Sequence, residues 1–291
     1  MHVTEKRALG ARLRGFLRLG HPGPVFFHLL AVALFALLAS WPRPVWTVLV
    51  LIVGAHTAMQ LAIAVFNDYC DRAKDAVGQP EKPIPSGLVT PLEALITGCG
   101  LIGLMILLLL PLPPLAWLLS LLYLALGMAY NLGLKATPLS GIVFALAMPL
   151  IPLYAFAGVG HIPAFLTWLV PLGFLLGVTL NLANSLPDLE EDAASGVRTL
   201  AVVLGRQRAF LIGDSLLALS ACLILALHLS DLLRVQPLVL AVTLTLTGLL
   251  FAALLLWTGP GKPRETRKRY FYLVVLVCLV LAGGWLLGVL I

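Results

Sequence analysis

Charged residues are scarce in this chain. They make up 11% of its 291 residues, whereas hydrophobic residues make up 60%, and the mean hydropathy is +1.03. A soluble domain carries about 25% charged residues, so this composition excludes a soluble globular protein. It instead predicts a polytopic membrane protein, and nothing in it indicates a nucleic-acid partner.

Cysteine is also scarce, and its four positions are far apart in the sequence. They follow no spacing typical of metal ligands, and we expect neither a disulfide framework nor a cysteine-based metal site. The cysteines are Cys70, Cys99, Cys222 and Cys278.

Acidic residues are few, and eight of the 13 lie in two short stretches, 67–81 and 184–192. The long segments between these stretches are nearly free of charge. A membrane-spanning helix needs about 20 apolar residues, and the chain has room for nine. The predicted spans are 24–41, 45–66, 91–111, 114–133, 138–158, 163–183, 207–229, 236–258 and 270–291. The sequence therefore predicts an all-α bundle of nine transmembrane helices with a polar cap.

Basic residues give the predicted orientation. If the N-terminus is cytoplasmic, all of the 19 lysines and arginines except Arg43 and Arg234 fall on the cytoplasmic side. The positive-inside rule favours this arrangement, which puts both acidic stretches on the cytoplasmic side and the C-terminus opposite. We predict a basic interfacial segment at 1–23, followed by one membrane domain at 24–291, in a prokaryotic cell membrane.

The two acidic stretches share one spacing, Asn-x-x-x-Asp-x-x-x-Asp, starting at Asn67 and at Asn184. On a helix, residues four apart lie near one face, so each stretch could direct an amide and carboxylates to one point. Oxygen ligands of this kind suit Mg²⁺. Pro187 interrupts the second stretch, and Asn184 and Asp188 need not share one continuous helix.

Basic residues accompany these acids. Acids and bases in one pocket suit an anion bridged by metal, above all a diphosphate, because lysine and arginine donate charge-assisted hydrogen bonds to phosphate. If the diphosphate leaves an allylic carbon, aromatic faces can stabilise the resulting cation. The basic residues are Arg72, Lys74, Lys82, Lys135 and Arg198, and the candidate aromatic residues are Phe66, Tyr69, Tyr130 and Tyr154.

Three motifs together resemble the UbiA superfamily of intramembrane prenyltransferases. The first runs from Asn67 to Asp75 with Lys82-Pro-Ile-Pro-Ser-Gly downstream, the second is Tyr130-Asn-x-x-Leu-Lys135, and the third runs from Asn184 to Thr199. Within the first motif, the sequence is also similar to the chlorophyll and bacteriochlorophyll synthase branch. The middle motif equally resembles archaeal-type enzymes that prenylate glycerol phosphate lipids. Quinone-pathway enzymes that act on hydroxybenzoate or dihydroxynaphthoate are a further alternative, so the expected aromatic acceptor is a quinone precursor or a tetrapyrrole.

The resemblance implies a nine-helix bundle with a central cavity and Mg²⁺-dependent transfer of a prenyl chain from an isoprenyl diphosphate to a small acceptor, usually aromatic. We expect the partners to be these two substrates and the lipid bilayer, with no obligate protein partner. The implied metal ligands are Asn67, Asp68, Asp71, Asp75, Asn184, Asp188 and Asp192. The implied diphosphate ligands are Arg72, Lys82, Lys135 and Arg198. The residues expected to carry catalysis are Asp71, Asp188, Lys135 and Tyr130.

Other functions compete with this interpretation. A terpene cyclase of the same superfamily would ionise the same diphosphate and fold the cation on itself. A divalent-cation transporter would place acids along a path through the membrane, whereas these acids lie near helix ends. A CDP-alcohol phosphotransferase is excluded, because its motif has Asp-Gly where this chain has Asp71-Arg72.

Polar residues within the predicted spans stand apart from the motifs. His28 and His56 have no second histidine at ligand spacing, so we expect hydrogen-bonded core residues. Asp214 would be costly facing lipid, and we expect it to face the bundle and find a donor.

Overall fold

The computed structural model describes residues 9–291. Within that range the chain forms helices and no strand, and nine helices are long and apolar enough to cross a membrane, as predicted. The helices are α1 (Leu9–Leu19), α2 (Pro22–Ser40), α3 (Trp46–Gly78), α4 (Pro91–Leu109), α5 (Pro114–Asn131), α6 (Ser140–Val159), α7 (Leu169–Ser185), α8 (Leu189–Ala194), α9 (Leu200–Leu204), α10 (Arg206–Leu229), α11 (Pro237–Trp257) and α12 (Thr266–Leu290).

Local sequence explains where these helices begin. Proline occupies one of the first two positions in α2, α4, α5 and α11, where its missing N–H is not needed. Thr90 and Glu93 form a capping box at the start of α4, each accepting a hydrogen bond from the other's backbone N–H. The start of α4 fixes the end of the loop that follows α3.

Helix α3 is longer than the sequence predicted. It continues through 33 residues to Gly78, whereas the predicted span ends at 66. At 1.5 Å per residue it is about 50 Å long, well beyond a hydrocarbon core of about 30 Å. The first acidic stretch is therefore the projecting end of a spanning helix.

Close helix contacts hold α6 and α7 together at the centre of the bundle. The Cα of Gly177 lies so close to α6 that an added Cβ would be 2.4 Å from the carbonyl oxygen of Phe144. A Cβ on Gly173 would likewise be 2.9 Å from Pro149. Because only glycine permits such an approach, these two positions set the separation of the helices that carry the site.

Asp214 finds its donor in the bundle, as predicted. Tyr270 on α12 donates a hydrogen bond of 2.9 Å to its carboxylate. Tyr270 is fully buried, and Gly213 leaves room for its hydroxyl. This contact joins α10 to α12 and lies apart from the acidic stretches.

Helix α1 exposes one apolar face and is held to the start of α4 on the other side. Leu9, Leu13 and Leu17 are exposed on one face. Arg12 forms a 2.5 Å ion pair with Glu93 at the start of α4, and Gly15 lies against the loop before α4. Lys6 and Arg7 of the predicted basic segment lie outside the described residues.

Candidate active site

The projecting end of α3 presents its polar residues on two sides. Asn67 and Asp71, one turn apart, lie toward α5 and the turn after it, where their contacts are Asn131 and Lys135. Asp68 and Asp75, two turns apart, are buried on another side. The repeated spacing therefore does not hold all the acids on one face.

A chain of amides fixes the orientation of Asn67. Its Nδ2 donates to Asn131 Oδ1 at 2.8 Å, while Asn131 Nδ2 donates to the carbonyl of Ile63 at 2.8 Å. Because Asn131 must offer its oxygen, Asn67 must offer its nitrogen, and its own Oδ1 is left as an acceptor. Asn67 is thus set to present an oxygen to a ligand.

Lys135 forms an ion pair with Asp71. It sits in a short 3₁₀ turn, Leu134–Ala136, directly after Gly133. Gly133 has a φ of 139°, which L side chains rarely adopt, so glycine is required for the chain to turn here. The turn carries the lysine to the first acidic stretch, 64 residues earlier in the chain.

Lys82 lies between two carboxylates rather than free in the site. Its ammonium is 2.9 Å from Asp75 and 3.3 Å from Asp68, and Asp68 is also 2.9 Å from His21 Nε2. Burial opposes the charge of Lys82, but its hydrogen bond to Asp75 and the charges of Asp68 and Asp75 raise its pKa above the ordinary value. The lysine therefore stays charged and holds the 79–90 loop to α3.

The second acidic stretch is broken, as the proline predicted. Helix α7 ends at Ser185, Pro187 follows, and α8 begins at Leu189. Asn184 and Asp188 are both exposed, one on either side of the break. Burial and the nearby Asp188 charge raise the pKa of Asp192, and Lys74 partly offsets them.

Three contacts bring the stretches together. The Tyr130 side chain lies near Asn184 and within electrostatic range of Asp71 and Asp192. Lys74 on α3 forms an ion pair of 3.5 Å with Asp192. The Arg198 backbone N–H donates to the carbonyl of Ala136, beside Lys135. The two acidic stretches and the Tyr130–Lys135 motif thus surround one point.

Two predicted diphosphate ligands lie beside this point without contacting its acids. The Arg72 guanidinium lies 4.4 Å above the Tyr69 ring and donates to the Tyr69 carbonyl. The Arg198 side chain is exposed.

Among the predicted aromatic residues, Tyr130 lines a cavity and the other three are used elsewhere. Phe66 packs against Gly98 of α4. Tyr69 supports Arg72. Tyr154 donates to the carbonyl of Ile52. Phe144, which the sequence did not single out, lies 5.5 Å from Tyr130 between ring centroids.

Two arginines, one in α12 and one just before it, hold the second acidic stretch in place. Arg267 is buried, donates twice to Glu190 at 2.5 and 2.8 Å, and donates to the carbonyl of Leu186. Arg264 donates to the carbonyl of Pro187 and to Glu191. The partners of both arginines lie more than 70 residues away in the chain, so no local sequence pattern indicates these contacts.

Replacing Arg267 with methionine should therefore loosen the second stretch. The change leaves the buried Leu186 carbonyl without its donor and Glu190 without its partner, at a cost of about 2 kcal/mol. We expect a lower thermal inactivation temperature in detergent and weaker binding of diphosphate. Arg269→Met, at an exposed position two residues along, is the matched control. Equal behaviour of the two variants would contradict this role.

The donor atoms suit Mg²⁺. They are carboxylate and amide oxygens, and the Asn67 oxygen is left free by its neighbours. Within residues 9–291 no group of three or more His, Cys, Asp or Glu side chains is arranged to hold a metal ion. Mg²⁺ in proteins commonly takes one or two carboxylates, with waters and substrate phosphates as its other ligands.

Two cavities open below the acids. The apolar cavity, about 180 Å³, runs between α2, α6, α7 and α12 from Asn184 to Leu172. The second cavity, about 200 Å³, runs between α2, α3, α5 and α6 from Asn67 to Tyr123, and we call it the polar cavity because Gln60, Asn67 and Asn131 interrupt its otherwise mostly apolar wall. His28, Phe144 and Met148 line both, so the two cavities share a wall.

The nine spanning helices found within residues 9–291 and the site define a class: an integral membrane protein with an oxygen-rich, cation-flanked site above cavities inside the bundle. The model of the UbiA prenyltransferase family matches residues 28–276. The chain belongs to this family and is a membrane prenyltransferase.

Relatives and solved structures agree with this membership. The chain is 31% identical over 193 residues to the digeranylgeranylglyceryl phosphate synthase of Methanopyrus kandleri, an alignment covering 66% of this chain and 70% of that one. It is 30% identical to the 4-hydroxybenzoate octaprenyltransferase of Thiobacillus denitrificans, over 71% and 70%. The structure of a UbiA homolog from Archaeoglobus fulgidus bound to GPP and Mg²⁺ superposes with a TM-score of 0.68 and 18% identity, covering 94% and 100%.

Proposed function

We propose that the protein transfers a prenyl chain from an isoprenyl diphosphate to an aromatic acceptor in a Mg²⁺-dependent reaction at the head of the two cavities. The observation that carries the proposal is the meeting of Asp71, Lys135, Tyr130 and Asp192 where both cavities begin. An anion bound there would reach both acids and a cation, while its apolar tail could enter the bundle.

We assign metal and diphosphate binding to the oxygens that face this point. They belong to Asn67 and Asp71 on α3, and to Asn184, Asp188 and Asp192 on the broken stretch. When bound, Mg²⁺ would neutralise the phosphate oxygens and make the diphosphate a better leaving group. Asp68 and Asp75 do not face this point, and we assign them a supporting role through their ion pairs with Lys82.

We assign the diphosphate's cationic contacts to Lys135, Arg72 and Arg198. Lys135 already lies at the meeting point, beside Asp71. Arg72 and Arg198 are exposed at its rim and can turn toward an anion. Lys82 can approach the same anion only by breaking its ion pair with Asp75. We therefore assign it mainly to positioning the 79–90 loop against α3.

The reaction that this arrangement supports has two steps. The bond between the allylic carbon and the diphosphate oxygen breaks, and its electron pair leaves with the diphosphate. An acceptor carbon or oxygen then bonds to the allyl cation and loses a proton. The faces of Tyr130 and Phe144 lie beside the cavity entrance, where an aromatic ring stabilises positive charge.

The apolar cavity suits the prenyl chain. Asn184 is the residue of the three sequence motifs that lines this cavity, and the rest of the cavity wall is nearly all apolar. Leu176 is two turns below Asn184 on α7, about 12 Å along the helix axis. A longer chain must pass this residue to reach the bottom of the cavity.

A larger side chain at Leu176 should shorten the preferred substrate. We expect Leu176→Trp to lower the rate with geranylgeranyl diphosphate at least tenfold and that with dimethylallyl diphosphate less than threefold, because only the longer tail meets the indole. Leu246→Trp, on the exposed face of α11, is the control and should change neither rate. An equal loss of transfer rate for both substrates in Leu176→Trp would contradict the placement of the prenyl chain in this cavity.

The polar cavity suits the acceptor, and its rings favour an aromatic one. Tyr123 and Tyr130 line it with Phe144. In the described part of the chain, no lysine or arginine lines it. The names of the relatives specify both a glyceryl phosphate and a hydroxybenzoate as acceptors. A phosphate would find no cation here, so we favour the aromatic class.

Product analysis tests the proposed function. Purified protein with Mg²⁺ and labelled geranylgeranyl diphosphate is incubated alone, then with 4-hydroxybenzoate, dihydroxynaphthoate, chlorophyllide or geranylgeranylglyceryl phosphate. We expect a prenylated product with one of the aromatic acceptors. A cyclised hydrocarbon formed without acceptor would identify a terpene cyclase instead.

We also propose the membrane arrangement of the chain. The site faces the cytoplasm of a prokaryotic cell, the C-terminus lies on the other side, and 24–291 forms one domain. Helix α1, the described part of the preceding segment, lies on the membrane surface. Exposed Leu9, Leu13 and Leu17 with nearby Arg14 and Arg18 support contact with anionic lipid.

A further inference from the structure

Four polar side chains form a cluster at the deep end of the polar cavity, which three of them line, and the reaction described above uses none of them. They are His28 on α2, His56 and Gln60 on α3, and Tyr123 on α5. Gln60 lies seven residues before Asn67 on α3, and His28 lies seven after His21 on α2, about 10 Å deeper along each helix. Polar groups are costly at such depth and are usually functional.

Hydrogen bonding fixes the proton on each histidine. Gln60 Nε2 lies 3.2 Å from His28 Nδ1 and 3.2 Å from His56 Nε2. An amide nitrogen can only donate, so both ring nitrogens accept and carry no proton. The proton of neutral His28 is therefore on Nε2. The Tyr123 ring packs edge-on against both histidines, 6.4 Å from His28 and 5.3 Å from His56 between ring centroids.

His28 Nε2 is a donor without a protein partner. Within residues 9–291 no group is hydrogen-bonded to it, although Nδ1 is bound to Gln60. This nitrogen is not one of the fully buried polar atoms that lack a hydrogen-bond partner. The His28 ring is only half-buried, because it lines both cavities. The Nε2–H of His28 is thus a hydrogen-bond donor of fixed direction in a mostly apolar cavity, where a ligand oxygen can accept from it.

The surroundings select the kind of oxygen. In the described chain no lysine or arginine lines the polar cavity, so a phosphate or carboxylate at this depth would lack a counter-charge. Tyr123 lies edge-on to the His28 ring at 6.4 Å, and aromatic faces continue upward to Tyr130. A planar ring with an uncharged oxygen fits this space.

We propose that His28 binds an uncharged hydroxyl or carbonyl oxygen of the aromatic acceptor through Nε2–H, with Gln60 as the positioning residue that holds its tautomer. The inference rests on the proposed function, since it takes the polar cavity as the acceptor site. His28 is then a specificity determinant for the acceptor and leaves diphosphate binding to the site above.

Steady-state kinetics on the purified full chain in nanodiscs test this role. The probes are 4-hydroxybenzoate, its uncharged methyl ester and geranylgeranylglyceryl phosphate, with labelled geranylgeranyl diphosphate and Mg²⁺. We expect His28→Phe to raise the KM for the aromatic probes about tenfold, the effect of one lost hydrogen bond in an apolar site. His28 also borders the apolar cavity, but phenylalanine keeps a ring of similar size there, so the KM for geranylgeranyl diphosphate should change less than twofold. The ester should be accepted at least as well as the acid.

Two further variants separate this contact from general damage. His28→Gln keeps an N–H donor and should hold the KM for the aromatic probes within threefold of wild type. His161→Phe, at an exposed position after α6, should change nothing. An unchanged KM in His28→Phe, equal rises for both substrates, or wild-type prenylation of geranylgeranylglyceryl phosphate alone would overturn the inference.

Failure of the proposed function would look different. Wild type would then consume no labelled diphosphate with any probe. Equilibrium binding of the methyl ester would still test His28 in that case: weaker binding to His28→Phe than to wild type supports the contact, and equal binding overturns it.

Discussion

Asp71→Asn and Asp188→Asn should each lower prenyl transfer about a thousandfold. Each change keeps the shape of the side chain and removes one negative charge from the proposed metal site. Metal ligation supplies several kcal/mol of charge stabilisation to a departing diphosphate, and each 1.4 kcal/mol is a factor of about ten in rate. The measurement is single-turnover transfer from labelled geranylgeranyl diphosphate at saturating Mg²⁺.

The two acids differ in their surroundings, and the controls should reflect this. Asp71 is paired with Lys135, whereas Asp188 is exposed at the start of α8. Lys135→Met should therefore weaken diphosphate binding even where Asp71 is intact. Asp231→Asn, in an exposed turn after α10, removes the same charge away from the site and should leave the rate unchanged. Rates near wild type in either Asp71→Asn or Asp188→Asn would remove the metal-site assignment.

Lys82→Met should cause the largest loss of stability among the changes considered. It leaves Asp68 and Asp75 buried with one partner fewer, and breaking a buried ion pair in this way costs about 3–5 kcal/mol. We expect a markedly lower thermal inactivation temperature and loss of transfer activity. Activity followed during heating in detergent measures both.

A conservative change separates charge from contact at this position. Lys82→Arg keeps the charge and should retain most of the stability, although its planar group meets the two carboxylates differently. Lys262→Met, at an exposed lysine, is the control. Full stability of Lys82→Met would show that the ion pairs to Asp68 and Asp75 contribute little.

The sequence was a good guide to the fold because the bilayer imposes a strong pattern. Nine apolar segments correspond to the nine spanning helices of the described chain, residues 9–291, and Pro187 marked the break between α7 and α8. The family's motifs also led to the residues that meet at one point. The end of α3 was missed, because a polar helix extending from a membrane span has no apolar run to mark it.

Contacts between distant residues were beyond the sequence. Spacing alone placed Asn67, Asp71 and Asp75 on one face, yet Asp75 turns to Lys82 in the following loop. Arg267 reaches Glu190 across 77 residues, and no local pattern announces it. His28 and His56 were predicted to be hydrogen-bonded, and they are, but only the fold shows that Gln60 serves both.

The most direct measurement is binding of inorganic diphosphate to the purified protein by calorimetry, with and without Mg²⁺. Wild type should bind diphosphate only when Mg²⁺ is present, and Asp71→Asn and Asp188→Asn should each weaken that binding at least tenfold. This result would mean that α3 and the α7–α8 break form one site. Binding that is independent of Mg²⁺, or that survives either substitution unchanged, would contradict it.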